Sequence, residues 1–442
     1  MFSSPFLFLN ELMKPTKNFI EELRWRGMLQ DIMPGAEELL TNECIAGYAG
    51  FDPTADSLGI GNLVPIMLLK HFQLCGHKPI AVVGGATGMI GDPSGKSAER
   101  NLLSEEIIQH NLNCQRVQLE KFLDFSAGPS QAEILNNIYW YKNFGYIQFL
   151  RDVGKHLSIN YMLAKDSVQG RMETGISYTE FSYQILQGYD FYWLYTHYNC
   201  KLQMGGSDQW GNMTTGTELI RRMATGNEAF AFTCPLVTKA DGTKFGKTES
   251  GNIWLDAKKT SPYKFYQFWL NAADADAGRY IRIFSLLSKD EIEAIETLHN
   301  AEPHKRILQK KLAEEITTFV HSKEDLLSAI KASDILFGQS TADSLKTLSD
   351  RDFTEIFEGV PTKTISKSLV ENGIGIMNLL VDQTQFFPSN GEAKRTLAGK
   401  GVSVNKTVIE STEQKIGVQE LINNKYLLLQ KGKKNYFLVV VE

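Results

Sequence analysis

The sequence predicts an α/β protein: a parallel sheet with a nucleotide crevice, then a helical segment, then a small basic α+β module. Three observations carry this. Residues 48–97 read as strand, glycine turn, helix, strand and a second glycine-rich loop, the order in which a parallel sheet builds a crevice at its strand ends. Helical periods dominate from about residue 260 to about 337. From 386 to 442 there are nine basic residues against five acidic, a net +4 within a chain whose total is −5.

The elements follow in order. The opening residues hold a short apolar patch interrupted by Pro5 with no basic residue before it, so a signal peptide is not expected, and Met13 is an alternative start. Residues 16–27 form an amphipathic packing helix with Phe19, Leu23 and Trp25 inward. Gly35 breaks the pattern, 37–40 resume it, and 43–47 lead into the first strand. Ser104 opens a helix running towards Phe122. A loop tip at 126–131 follows, then a strand at 136–140 and a helix from Gly145. Leu202 to Asn212 repeats the strand-then-glycine arrangement, with a helix over 214–223. Thr260-Ser-Pro is an N-cap followed by proline in the first turn. Ser288-Lys-Asp-Glu291 is a capping box, and 305–320 is a further helix. Residues 338–364 are turn-rich and read as a linker with a short helix. Ser389 caps a helix bearing Lys394 and Arg395, a tight turn at 399–405 enters a strand, and 426–430 and 435–441 are two more. Such a basic module suits RNA phosphates.

Several function classes drop out. A Walker loop needs four residues between its first Gly and Gly-Lys, whereas Gly91 to Gly95 encloses three. The dinucleotide fingerprint fails because Val64 stands where its last glycine belongs. Five scattered cysteines (Cys44, Cys75, Cys114, Cys200, Cys234) never show CxxC spacing, which argues against a disulfide framework or zinc site and for a reducing cytoplasm. Cys75 and His77 are read as structural. No apolar run approaches membrane-spanning length.

Two stretches carry candidate chemistry. Within the polar and aromatic block 174–195, Tyr183, Gln187 and Asp190 fall at i, i+4 and i+7 and share one helical face. Phe181, Tyr189, Phe191 and Trp193 read as core. A core would have to satisfy every polar group of the Tyr-Gln-Asp stripe, whereas a polar ligand would use them. Asp241-Gly-Thr-Lys-Phe-Gly-Lys-Thr is a glycine-interleaved cationic loop able to close on phosphate.

Taken together, Y-A-G-F-D-P-T-A-D-S-L, G-G-A-T-G-M-I-G-D-P-S-G-K-S-A-E-R, F-S-Y-Q-I-L-Q-G-Y-D-F, G-G-S-D-Q-W-G-N and K-F-G-K-T closely resemble the bacterial tyrosyl-tRNA synthetases of the class I group, from about residue 43 to 442. The resemblance implies an N-terminal helical segment (1–42), a Rossmann-like catalytic domain (43–260, with the KFGKT loop at 244–248) and an all-helical anticodon-side domain (261–340). A linker (341–372) and a C-terminal RNA-binding domain of the ribosomal S-four type (373–442) complete it. It also implies a cytoplasmic homodimer acting on L-tyrosine, ATP and tRNA(Tyr), without DNA or membrane. Magnesium would travel with the nucleotide, with no dedicated metal site or prosthetic group.

Carried over position by position, Tyr48 and Asp190 would read the substrate phenol. Asp92, Tyr183 and Gln187 would hold its ammonium group, with Asn137 also on the tyrosine side, and Gln209 would meet the carboxylate or α-phosphate. Gly50, Asp52, Pro53, Gly59, Gly61, Asn62, Gly206 and Asp208 would line the ATP site, the last two at the ribose. Thr54, Lys244, Lys247 and Thr248 would act on the departing pyrophosphate, with Lys96 and Arg100 approaching as a loop closes. Lys394, Arg395 and Lys400 would face RNA.

One departure stands out. The family motif usually reads His-Ile-Gly-His, and here it is Gly59-Ile60-Gly61-Asn62. Asn62 can still donate a hydrogen bond, but Gly59 has no side chain. Either the lysines and Thr54 compensate, or water fills the gap. Two other readings are a tryptophanyl-tRNA synthetase-like enzyme and a catalytically weak RNA-binding paralogue. An indole only donates, whereas Tyr48 and Asp190 can both donate and accept. The intact KFGKT and substrate stripe oppose the second.

Overall fold

The computed structural model describes residues 14–94, 103–172, 175–224, 228–243, 245–248, 251–337, 345–357, 360–432 and 435–442. The chain divides into two compact units: one of residues 1–260 and 269–320, the other of residues 261–268 and 321–442.

The first unit is organised by a five-stranded sheet. Its strands are β1 (Ala46–Phe51), β2 (Lys78–Val83), β3 (Glu133–Asn136), β4 (Cys200–Gly206) and β5 (Phe230–Cys234), in the order β3-β2-β1-β4-β5. All four pairings are parallel. β2 and β5 are buried along nearly their whole length, as expected of strands covered on both faces. The strand order reverses between β1 and β4, and a crevice opens beyond the carboxyl ends of strands at such a switch point.

Helices cover the sheet. The Leu63–Leu74 helix packs on β2, and the Tyr178–Tyr198 and Trp210–Met223 helices pack on each other and on β4. Glycines set this last pair's spacing. A Cβ at Gly188 would lie 3.1 Å from Leu219 and Thr215, and one at Gly216 would lie 2.8 Å from Phe191. Ser177 caps the Tyr178–Tyr198 helix by accepting from the Glu180 N–H, and Asn199 ends it at φ 50°, a left-handed geometry that asparagine tolerates better than most residues. Phe191 is fully buried, whereas Phe181, Tyr189 and Trp193 are half-buried.

Several expectations need correction. In the Phe19–Arg26 helix the buried face is Phe19, Ile20, Leu23 and Arg26, and Trp25 is only half-buried. Arg26 goes inward because its guanidinium donates to the carbonyls of Arg282, Ser285 and Leu287 and pairs with Glu22, so the buried charge is fully hydrogen-bonded. Of residues 136–140 only Asn136 is strand. β3 ends there, and the Asn136 side chain accepts from the Ile138 N–H to turn the chain into a short helix, Ile138–Tyr141. The helix after β4 begins at Trp210, four residues earlier than expected. Ser261, rather than Thr260, accepts from Lys264 at the start of the Pro262–Leu270 helix. The capping box at Ser288 and Glu291 is present.

The second unit holds a five-stranded mixed sheet. Its strands run in the order Thr407–Val408, Val402–Val404, Tyr426–Lys431, Asn435–Val441, Thr362–Ile365, the last pairing parallel and the others antiparallel. The Thr362–Ile365 strand comes from the stretch read as linker. Alternation along the strands separates two cores. Leu427, Leu429, Val439 and Val441 join Val370, Leu379 and Phe387, while Tyr426, Leu428 and Leu438 join Phe353 and Phe357. That is the period of two expected when a sheet buries both faces. No helix among the described residues is long and apolar enough to cross a membrane.

Candidate active site

At the switch point lies a cavity of about 270 Å³, lined by the ends of β1, β2 and β4 and by one face of the Tyr178–Tyr198 helix. Tyr48 alternates inward from β1, and its hydroxyl is buried with no hydrogen-bond partner. Asp190, four per cent exposed, enters the same cavity from the helix. Its Oδ1 accepts from Trp140 Nε1 at 2.8 Å and Tyr141 Oη at 3.0 Å, and its Oδ2 accepts from Asn137 Nδ2 at 3.1 Å. Oδ1 is thus occupied by two protein donors and Oδ2 by one. Burial raises the Asp190 pKa to about 7 against the pull of Asn137, Trp140 and Tyr141, with the Asp52 charge adding to the rise. Burial also holds the Tyr48 and Tyr183 phenols well above their usual range, so both keep their protons at neutral pH.

The stripe expected on the helix is present, and all three members line the cavity. Tyr183 Oη donates to Asp52 Oδ2 at 2.9 Å, so it presents only lone pairs to a ligand. Gln187 Oε1 and, from β4, Gln203 Oε1 are buried acceptors without partners. Across from them, Asp92 is fixed by Gln209 Nε2 at 2.7 Å and by the Ser94 N–H at 3.0 Å. This wall consists of acceptors and suits a cation. The Tyr48 end offers a donor, and Asp190 offers an acceptor.

Asn137 is fully buried. It accepts from the Ala86 N–H and donates to Thr87 and Asp190, so it lines the cavity beside Asp190 and fixes Oδ2. Gly84 is required where it stands, because a Cβ would collide with Asp52 Oδ1 and Thr87 Oγ1, the pair that closes the β1 and β2 ends.

A second cavity of about 290 Å³ shares Asp52, Thr54 and Asn62 with the first and continues past Gly59, Gly61, Phe245 and Gly246. Asn62 Oδ1 accepts from the Gly59 N–H at 3.0 Å. Gly59 has extended backbone (φ −85°, ψ 166°), and the nearest atoms to a Cβ there would be Ile253 O at 3.7 Å and Asn62 Oδ1 at 3.9 Å. Gly50 and Gly206 line the first cavity, and Asp208 lines a third, of about 430 Å³, with Lys165, Trp210 and Thr214. Pro53 lines none of the three. It is buried against Gly88, and its carbonyl accepts from Asn111.

Lys96, Arg100 and Lys244 lie outside the described residues. Lys247 and Thr248 form a two-residue strand paired with Gly251 and Asn252. In the second unit Lys394 and Arg395 are exposed on the Asn390–Ala398 helix, and Lys400 Nζ is 3.5 Å from Glu410 in the turn after it. No group of three or more His, Cys, Asp or Glu among the described residues could hold a metal ion.

Sequence reasoning missed Gln203, Thr87, Trp140, Tyr141 and Asn212, whose amide donates to Gln209 Oε1 at 3.2 Å and Ser94 Oγ at 3.3 Å. Gln203 left a signal, a lone amide inside an apolar parallel strand. The pair at 140 and 141 left none, because 136–140 read as strand and only the tertiary fold brings their donors to Asp190.

The description tRNA synthetases class I (W and Y) matches residues 40–338, and the Tyrosine--tRNA ligase SYY-like C-terminal domain matches residues 352–439. The chain is 58% identical over 430 residues to a protein of Bacteroides thetaiotaomicron named Tyrosine--tRNA ligase, covering 96% of this chain and 100% of that one. It is 60% identical over 425 residues to a protein of that name from Cytophaga hutchinsonii, covering 96% and 99%. The crystal structure of a C-terminally truncated mitochondrial tyrosyl-tRNA synthetase of Aspergillus nidulans is similar at TM-score 0.66 and 29% identity, covering 73% of this chain and 94% of that one. The chain belongs to the tRNA synthetases class I (W and Y).

Proposed function

We infer that this chain is a tyrosine–tRNA ligase. It activates L-tyrosine with ATP to tyrosyl-adenylate and pyrophosphate, then transfers the tyrosyl group to the 3′ end of tRNA(Tyr). The observation that carries the choice of amino acid is the unpartnered, buried Tyr48 hydroxyl sharing a cavity with Asp190. A phenol bridges them with every proton used: it donates to Asp190 Oδ2 and accepts from Tyr48. Phenylalanine would leave the Tyr48 hydroxyl buried and unpaired, and would give Asp190 Oδ2 no donor beyond Asn137. An indole can donate but cannot accept from Tyr48.

In the activation step the substrate carboxylate oxygen attacks the α-phosphorus of ATP. The bond from that phosphorus to the bridging oxygen breaks, and pyrophosphate leaves with the electron pair. A terminal ribose hydroxyl of the tRNA then attacks the acyl carbon, and AMP departs. No enzymic nucleophile is needed, so the protein positions the reactants and stabilises charge. Asp92, Gln187 and the lone pairs of Tyr183 receive the ammonium group, and Gln209 meets the carboxylate or α-phosphate. Gly206 and Asp208 meet the ribose. Thr54 and the lysines of the KFGKT loop meet the departing pyrophosphate, whose magnesium arrives with the nucleotide. Lys394, Arg395 and Lys400 face the tRNA.

The enzyme works in the cytoplasm as a homodimer. Self-association is supported by the exposed apolar side chains of Tyr139, Tyr146, Ile147, Ile159 and Tyr178, each more than 60% exposed, with the Tyr146 and Tyr178 hydroxyls 3.4 Å apart. Pyrophosphate exchange into ATP tests the reading, run with tyrosine, phenylalanine, tryptophan or no amino acid. Exchange with tyrosine alone is expected. Exchange with tryptophan, or none at all, overturns it.

A further inference from the structure

Tyr141 has one hydroxyl hydrogen and two acceptors, Leu186 O at 2.7 Å and Asp190 Oδ1 at 3.0 Å. When Asp190 is ionised, that hydrogen turns to Oδ1. When Asp190 is neutral, its own proton sits on Oδ1 and is given to the Tyr141 oxygen, while the Tyr141 hydrogen turns to Leu186. In both arrangements Trp140 Nε1 still donates to Oδ1, and Oδ2 still accepts from Asn137. We propose that Tyr141 is a positioning residue for substrate recognition: it takes up the change of protonation at Oδ1, so that Oδ2 faces the substrate phenol as an acceptor whether or not Asp190 carries a charge.

The count of protons shows why another residue would not serve. Without the Tyr141 oxygen, a neutral Asp190 loses the one group bonded to Oδ1 that can accept a proton, since Trp140 Nε1 only donates. A proton on Oδ2 would have to be given to the substrate oxygen, whose own hydrogen would go to Tyr48, and the Tyr48 hydrogen would then have no acceptor. One buried hydroxyl is left unpaired either way, and that is costly. The ring of Tyr141 is held independently, in tilted contacts with Tyr189 and Phe149 at 5.7 and 6.3 Å, so removing only the hydroxyl leaves the packing in place.

The effect belongs to the neutral pH range because Asp190 titrates there. The other groups facing it do not. Tyr48 on β1, Tyr183 on the same helix and Tyr141 itself are raised well above 10 by burial. Tyr189 is raised to about 12, as is Cys200 on β4, which faces Tyr48. Asp52, beyond the end of β1, is the neighbouring carboxylate that opposes ionisation of Asp190.

This inference rests on the tyrosine reading, and one experiment separates the two. Equilibrium dialysis of L-tyrosine, without ATP, is run on the full-length wild type and Tyr141→Phe at about pH 6 and about pH 8.5, either side of the raised value. The ratio of dissociation constants, variant to wild type, should be near one at the higher pH and rise about tenfold at the lower. A ratio equal at both pH values, whether one or large, overturns the role of Tyr141 and leaves the tyrosine reading standing. Wild type that binds no tyrosine overturns both. Tyr141→Leu, which also removes the ring, should add a loss independent of pH to the same dependence. Absence of that dependence in both variants counts against the proposal.

Discussion

Around Asp190, polar groups reach into the cavity from two strands and a 21-residue helix, and of the donors fixing the carboxylate Asn137 and Trp140 are buried with it and Tyr141 is half-buried. Around Gly59, the adjoining cavity is walled by a glycine turn, the exposed Thr54 and the loop at Phe245 and Gly246. The two cavities share Asp52, Thr54 and Asn62, so they meet within a few side chains. The difference follows the chemistry each must do. Choosing an amino acid by a single hydroxyl requires buried groups whose partners cannot be replaced by water. Handling a triphosphate that enters and leaves as pyrophosphate requires contacts that form late and release.

The largest effect expected from this contrast is at Asp190. Asp190→Ala removes the acceptor of Asn137, Trp140 and Tyr141 as well as that of the substrate phenol. With about 4 kcal/mol for stripping a charged acceptor from buried donors, kcat/KM for tyrosine should fall about a thousandfold. A loss under about tenfold in pyrophosphate exchange, with the fold intact by circular dichroism, would mean that the carboxylate does not read the phenol.

The middle effect runs in the opposite direction. Gly59→His adds a side chain where the backbone is ordinary and the space is open. An imidazole there can donate to charge developing on the phosphates, and a donor so placed should raise single-turnover adenylate formation about tenfold. The affinity for tyrosine should not move, since no atom of Gly59 lines the first cavity. Unchanged or slower activation would show that Thr54 and the loop lysines already do what the imidazole would add.

The same contrast explains how much could be read from the chain. The parallel sheet, the glycine turns and the Tyr183, Gln187, Asp190 face were legible because each depends on local periodicity: 2 for strands, 3.6 for helices, and short glycine spacings where backbones crowd. Arg26 was misplaced because a buried arginine is explained only by three carbonyls more than 250 positions away in sequence. Trp140 and Tyr141 went unseen for the same reason. Their donors lie about 50 positions from Asp190, and β3 ends before them through a side-chain hydrogen bond that no apolar pattern announces. Residues that touch a ligand along one element could be found. Those that hold the first set in place from other elements could not.

Tyr48 gives the smallest of the expected changes and the finest test of the pocket. Tyr48→Phe deletes one neutral hydrogen bond to the substrate oxygen while Asp190 still accepts the phenol proton. About 1 kcal/mol is at stake, so kcat/KM for tyrosine should fall roughly fivefold. For phenylalanine the sign reverses. That substrate leaves the Tyr48 hydroxyl buried without a partner in wild type, and the variant removes the unpaired group, so kcat/KM for phenylalanine should hold or rise slightly. The discrimination ratio therefore narrows by more than the loss on tyrosine alone. If both substrates lose equally, Tyr48 shapes the cavity by its ring, packed 5.4 Å from Phe191, and the choice between hydroxyl and hydrogen rests on Asp190 and the donors that orient it.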